Sequence, residues 1–151
     1  MFVTMWFGIL DLTTGVIIAV NAGHEYPVLR SGAQPFRMLK DKHGFVVGVS
    51  EETKFNEYEL RLAPGDRLFL YTDGVPEAQT ADQKMFGIGR LVSALNEAPD
   101  ASPEQLLSNV RRAVDEFIDG AKQFDDLTML CLKYMGRSED AAVEEAIRPQ
   151  E

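Results

Sequence analysis

The sequence predicts an α+β domain, because its first half carries strand patterns and its second half carries helical ones. Short apolar runs separated by turns that contain Gly and Pro occupy residues 2–72. Apolar residues then recur at helical spacing over 88–95 and 106–118, and a last apolar run, 127–132, predicts a closing strand. Runs of strands followed by runs of helices are typical of α+β folds.

The first two predicted strands are expected to form a hairpin. Residues 2–10 are largely apolar on both alternating faces, so we expect a strand that is covered on both sides. Residues 11–15 have the composition of a turn, and 16–20 form a second apolar run. This second run is expected to pair with the first one.

A second hairpin is predicted downstream. Apolar and charged residues alternate over 57–62, which is typical of a strand with one buried and one exposed face. Pro64-Gly65 then supplies the fixed φ and the positive φ of a type II turn. We expect the returning strand, 68–72, to pair with the first and to deliver Asp73 at its end.

Two amphipathic helices are predicted after these strands. The apolar stripe over 88–95 belongs to the first helix. For the second helix, Ser102 suits the N-cap, Pro103 suits the first turn, and Gly120 is a suitable stop. The final strand is expected after this helix.

Composition limits the class of protein. The chain has 151 residues and 45% hydrophobic content, which suits one domain, placed here at 1–135 and followed by an acidic tail at 136–151. A net charge of −9 argues against nucleic acid as a partner, because phosphate binding relies on clustered Lys and Arg. One cysteine, Cys131, rules out an internal disulfide framework and favours the cytoplasm. The apolar start lacks a basic segment and stops at Asp11, so neither a signal peptide nor a membrane segment is expected.

Acidic residues lie at the ends of two predicted strands. Asp73-Gly74 follows the run 68–72, and Asp125-Asp126 precedes the run 127–132. Carboxylates placed at strand ends can converge on a hard cation such as Mg²⁺, Mn²⁺ or Ca²⁺. Taken alone, either pair is also typical of an ordinary turn or of the start of a strand.

Five short motifs occur in order along residues 1–135. They are Met1-Phe2-Val3-Thr4, Asn21-Ala22-Gly23-His24, Pro64-Gly65-Asp66 leading into Tyr71-Thr72-Asp73-Gly74-Val75-Pro76-Glu77-Ala78, Phe86-Gly87, and Phe124-Asp125-Asp126-Leu127-Thr128. Together they resemble the C-terminal part of the SpoIIE-type serine/threonine phosphatases, which belong to the metal-dependent type 2C (PPM) superfamily. The resemblance implies a β-sandwich flanked by helices in αββα layers, with the N-terminal strands and helix of the family domain absent.

The resemblance also implies a site and a reaction. It assigns Asp73 and Asp125 as metal ligands, with Gly74, Asp126 and His24 in supporting places around them. Two Mn²⁺ or Mg²⁺ ions would activate a water for attack on phosphoserine or phosphothreonine. The substrate would be a phosphorylated regulatory protein such as an anti-anti-sigma factor. No side-chain nucleophile is needed, so no catalytic residue is predicted, and His24 is interpreted as ordering a loop.

One departure from the family pattern leaves an alternative open. The family's site also uses aspartates from an upstream segment that contains Gly-Asp, and this sequence has no counterpart of that segment. The alternative is therefore a truncated or degenerate, non-catalytic regulatory or binding module of the same fold. A sandwich without its opening strands is expected to leave an unpaired sheet edge and an apolar patch, which predicts self-association.

Overall fold

The computed structural model describes residues 1–40, 43–121 and 126–137. Within them it contains two four-stranded sheets and two helices. The strands are β1 (Met5–Leu10), β2 (Val16–Ala22), β3 (Val28–Arg30), β4 (Arg37–Met38), β5 (His43–Gly44), β6 (Tyr58–Arg61), β7 (Arg67–Tyr71) and β8 (Met129–Lys133). The helices are α1 (Gly87–Glu97) and α2 (Pro103–Ile118). The predicted acidic tail lies outside the described residues from position 138 onward.

The first sheet is built around β2. Antiparallel pairing joins β1 to the whole of β2, which confirms the predicted first hairpin. Its turn is held by the Asp11 carboxylate, which accepts hydrogen bonds from the amides of Thr13 at 2.8 Å and Thr14 at 3.3 Å. On its other side β2 pairs antiparallel with β6 and, near its end, parallel with β5.

The second sheet has the order β4-β3-β7-β8, and all its pairs are antiparallel. β7 lies inside this sheet and is buried along most of its length. Leu68 packs toward the first sheet, whereas Phe69 and Tyr71 belong to a core shared with the helices. The two cores therefore lie on opposite faces of one sheet.

The predicted pairing of the second hairpin is wrong. Its turn forms as expected, since the Asp66 amide donates to the Ala63 carbonyl at 2.9 Å and Gly65 has φ +95°. However, β6 pairs with β2 in the first sheet, whereas β7 pairs with β3 and β8 in the second one. The turn therefore crosses between the sheets. The buried carboxylate of Asp66 joins the turn to the second sheet, because it accepts the amide of Gly32 in the loop after β3.

The helices pack on the outer face of the second sheet. Both predicted helices are confirmed, and the Ser102 hydroxyl caps α2 by accepting the amide of Gln105 at 3.2 Å. α2 ends where Asp119 adopts a left-handed conformation with φ +48° ahead of Gly120. Neither helix in the described ranges has the length and apolar character needed to cross a membrane.

The outer face of the first sheet is apolar and open to solvent. Phe7 and Ile9 of β1 are 52% and 63% exposed, and Ile18, opposite Ile9 on β2, is 41% exposed. The expectation that β1 is covered on both sides is therefore wrong for the described residues. The physical reason is that both described helices pack against the second sheet and none packs against the first.

Candidate metal site

A small cleft lies where β1 begins and where β2 and β7 end. Its volume is about 70 Å³. Antiparallel pairing places the start of β1 beside the end of β2, because Met5 lies opposite Ala22. The cleft is lined by Thr4, Gly23, His24, Glu25, Thr72 and Asp73. Two of the predicted site residues, Asp73 and His24, therefore share one cleft.

Asp73 presents its carboxylate at this cleft. The residue is exposed, and its backbone carbonyl accepts the amide of Glu77 at 2.9 Å. The carboxylate itself forms no hydrogen bond or ion pair with any residue that the structure describes. Gly74 is buried beside it and turns the chain away from β7. The carboxylate of Asp73 is thus open to the cleft, and its role as a metal ligand stays a prediction.

Thr72 forms hydrogen bonds with the chain segment of Asp126, the second residue of the other predicted acidic pair. The Thr72 amide donates to the Thr128 carbonyl at 3.0 Å, and the Thr72 hydroxyl donates to the Asp126 carbonyl at 3.2 Å. These bonds place the backbone of Asp126 next to the chain that carries Asp73. Asp125 lies outside the described residues, so its predicted role as a ligand stays a prediction.

His24 belongs to the wall of the cleft. Its Nδ1 lies 3.4 Å from the Thr4 hydroxyl, and its backbone amide donates to the Asn21 side chain at 2.8 Å. Asn21 is fully buried, and Gly23 adopts φ +74° where a Cβ would meet Val46 Cγ1 at 2.6 Å. These contacts hold the loop after β2 against its neighbours. They agree with the interpretation of His24 as a residue that orders a loop.

Sequence reasoning did not single out Thr4 and Glu25. Glu25 directly follows the motif that ends in His24, and this adjacency was the signal that could have found it. Thr4 ends the first family motif, Met1-Phe2-Val3-Thr4, but its place in the cleft depends on the register between β1 and β2, which the motif does not give.

Two titratable groups in the second sheet, the buried Tyr71 and the partly buried Cys131, stay protonated at neutral pH. Burial, reinforced by the negative charge of Glu25, raises the pKa of Tyr71 well above its ordinary value. The Tyr71 hydroxyl has no hydrogen-bond partner among the described residues. Burial also raises the pKa of the Cys131 thiol to about 11. Neither group is suited to act as a base or as an anionic ligand near pH 7.

The described residues fit one part of an oxygen-ligated cation site. Asp73 offers carboxylate oxygens of the kind that Mg²⁺ and Mn²⁺ prefer. Across 1–40, 43–121 and 126–137, however, no three His, Cys, Asp or Glu side chains are grouped closely enough to hold a metal ion. Of the two predicted ligands, only Asp73 is placed by the described residues.

The fold can be compared with those of solved structures. Two stacked sheets with helices on one outer face form an α+β fold, and solved structures of PP2C phosphatase domains share this fold, as predicted. A solved structure of the RsbU and RsbW domains of Rv1364c from Mycobacterium tuberculosis is similar, with a TM-score of 0.70 and 20% sequence identity. The similar region covers 89% of this chain and 37% of that one.

Sequence similarity to known proteins identifies the family to which this chain belongs. Protein IcfG of Synechocystis is 34% identical over 132 residues, and the phosphoserine phosphatase RsbU of Bacillus subtilis is 23% identical over 133 residues. These matches cover 87% and 88% of this chain but only 20% and 39% of the two relatives. The family described as Stage II sporulation protein E (SpoIIE) matches residues 1–135, and the chain belongs to that family. The predicted family resemblance is confirmed.

Proposed function

We propose that this chain forms the C-terminal part of a metal-dependent phosphatase domain that hydrolyses phosphoserine or phosphothreonine on a regulatory protein. The observation that carries the proposal is the carboxylate of Asp73, which lies in a cleft at the strand ends and has no hydrogen-bond or ion-pair partner among residues 1–40, 43–121 and 126–137. Membership of the SpoIIE family and the similarity to a phosphoserine phosphatase support it. An anti-anti-sigma factor is the kind of regulatory protein that we propose as substrate.

Asp73 and Asp125 are the proposed metal ligands, with two Mn²⁺ or Mg²⁺ ions in an intact domain. When bound, such ions supply an activated water and neutralise charge on the phosphoryl group. Asp73 contributes a negative charge and open oxygen atoms at the cleft. Gly74 and Asp126 support the two ligands through the backbone, because each directly adjoins one of them in the chain.

His24 and its neighbours shape the place where a phosphoryl group would enter. The contact of His24 with Thr4 joins the loop after β2 to the segment before β1. Glu25 adds a second acidic side chain to the cleft wall. An acidic wall without bound cations repels a phosphate dianion, so the proposed substrate requires cations for binding as well as for chemistry.

A second candidate function is a non-catalytic regulatory or binding module. It is favoured by one observation on the sequence, namely that no counterpart of the family's upstream Gly-Asp segment, which supplies further metal-binding aspartates, occurs ahead of Asp73 in residues 1–72. The two functions differ in metal affinity. A catalytic centre requires tight binding of metal at Asp73, whereas a regulatory module does not.

The domain bounds, the location and the partner are further parts of the proposal. We place the phosphatase domain at 1–135 and the acidic tail at 136–151. We place the protein in the cytoplasm, with a phosphorylated protein rather than nucleic acid as its partner.

We also propose self-association through the first sheet. β1 contains no charged residue, and it presents an open apolar face beside an edge at which the described residues form no further pairing. Such edges and patches are typical sites of association.

Calorimetric titration of the chain with Mn²⁺, combined with a p-nitrophenyl phosphate assay, tests the proposed function. Asp73→Asn and Asp125→Asn should each abolish stoichiometric binding and turnover. Asp119→Asn is a matched control, because Asp119 is exposed at the end of α2 in a left-handed conformation that Asn also accepts. Wild-type protein that binds no Mn²⁺ and turns over no substrate would favour the non-catalytic module.

A further inference from the structure

We propose that Thr72 is a positioning residue whose hydroxyl holds the chain segment of Asp126 at a set distance from the segment of Asp73. Its consequence for metal binding rests on the function proposed above. The argument starts from the pairing between β7 and β8, which runs regularly from Arg67 opposite Lys133 to Tyr71 opposite Met129. Thr72 is the first residue beyond that regular ladder.

The hydrogen bonds of Thr72 depart from a regular strand pair in one respect. Two directly opposed residues in a hydrogen-bonded antiparallel pair exchange two backbone bonds. The Thr72 amide donates to the Thr128 carbonyl at 3.0 Å, as in a regular pair. The amide of Thr128, in contrast, donates at 3.2 Å to the Thr72 hydroxyl rather than to the Thr72 carbonyl.

The Thr72 carbonyl has a different partner. It accepts the amide of Val75 at 3.0 Å and so closes the turn that carries Asp73 and Gly74. The Thr72 carbonyl thus serves the turn, and the Thr72 hydroxyl serves as the acceptor for Thr128. One side chain therefore lets β7 end in the turn while its pairing with the opposite segment continues.

The same hydroxyl has a second bond across the strand ends. It donates to the Asp126 carbonyl at 3.2 Å, so it uses its one donor and one of its two acceptor positions on the segment that precedes β8. Asp126 directly follows Asp125, the second proposed ligand, in the sequence. Holding Asp126 therefore restrains the attachment point of the second proposed ligand.

Two substitutions separate the hydroxyl from the shape of the side chain. Thr72→Val keeps the β-branched shape and removes both hydroxyl bonds, whereas Thr72→Ser keeps the hydroxyl and removes a methyl group. Amide hydrogen exchange of the complete chain, followed by NMR, measures the restraint without any metal. We expect the Thr128 amide to exchange at least about tenfold faster in Thr72→Val, because its acceptor is lost. Exchange in Thr72→Ser should stay close to that of the wild type, and interior amides of β7 and β8 should be unchanged in both variants.

A second measurement tests the consequence for the metal. Mn²⁺ broadens NMR signals close to its binding site, so the amides of Gly74 and Leu127 report on binding even when it is weak. We expect the Mn²⁺ concentration for half broadening to rise by about tenfold or more in Thr72→Val and to return toward the wild-type value in Thr72→Ser.

The outcomes distinguish the two proposals. Unchanged Thr128 exchange in Thr72→Val, or exchange in Thr72→Ser as fast as in Thr72→Val, would overturn the restraint by the hydroxyl. Faster exchange with an unchanged Mn²⁺ midpoint would show that Thr72 has a structural role only, which overturns its positioning role. A wild-type chain with no broadening at Gly74 or Leu127 would reject the proposed metal site, and with it the positioning role, while the exchange result would still decide whether the hydroxyl joins the two strand ends.

Discussion

Replacing Asp66 by Asn should measure how strongly the turn between the two sheets is held. Asp66 is 2% exposed, and its carboxylate accepts the amide of Gly32 at 2.7 Å, the amide of Ala63 at 2.9 Å and the hydroxyl of Ser31 at 3.2 Å. These bonds join the turn at Pro64-Gly65 to the loop after β3. Asp66→Asn keeps the shape of the side chain and one acceptor oxygen.

The structure sets the expected magnitude. The remaining oxygen of Asn can keep the shorter bond to Gly32, and the Ser31 hydroxyl can rotate to accept from the new amide group. The amide of Ala63 then faces another donor, and an unsatisfied buried donor costs about 1–3 kcal/mol. Loss of the charge weakens the remaining bonds by roughly 1 kcal/mol. We therefore expect the free energy of unfolding to fall by about 3 kcal/mol, equivalent to roughly 10 °C in Tm for a chain of this size.

Urea and thermal unfolding followed by circular dichroism provide the assay, with Asp119→Asn as the control for the same chemical change at an exposed position. The urea m-value should be unchanged, because the surface exposed on unfolding is the same. A loss below about 1 kcal/mol would refute the reasoning, since it would mean that the three hydrogen bonds contribute little beyond solvation of the carboxylate.

Three further predictions follow from other parts of the fold. Phe7→Glu should reduce self-association in multi-angle light scattering, and a wild type that is monomeric at high concentration would refute the proposed interface. Gly15→Ala should lower the free energy of unfolding by more than Gly32→Ala, because both glycines have positive φ but only at Gly15 would a Cβ meet a backbone oxygen at 2.2 Å; equal losses in urea unfolding would contradict this. Cys131 should react slowly with a thiol reagent at pH 8 and faster as the pH approaches about 11. Because the folded state raises the pKa of the thiol, its contribution to the free energy of unfolding should be complete below the ordinary pKa of 9.0 and lost as the pH rises through about 11. Fast labelling at pH 8 would contradict the partial burial of the thiol.

Local chemistry was sufficient to predict most of the individual elements. The capping residue Ser102 and the proline after it mark the start of α2, and the Pro64-Gly65 pair forms the turn that its composition predicts. These features depend on φ preferences and on side chains that bond to nearby backbone, so they can be read from a few neighbouring residues.

The pairing of β6 and β7 could not be predicted in this way. An alternating strand followed by a type II turn is typical of a hairpin, yet Leu62 donates its amide to Gly15 and Asp66 accepts the amide of Gly32. Both contacts join residues that are distant in sequence. Strand pairing depends on which apolar faces meet in the folded chain, and the same local turn serves a hairpin or a crossing between sheets.

The sequence by itself determined that Asp73 lies just beyond a buried strand and that the chain carries the motifs of the SpoIIE family, because strand patterning and short motifs are local properties. Only the tertiary structure decided that Thr4 and Glu25 share its cleft and that the Thr72 hydroxyl bonds to the segment of Asp126. Those contacts depend on the register of β1 with β2 and of β7 with β8, and each register is selected by the packing of whole sheets rather than by neighbouring residues.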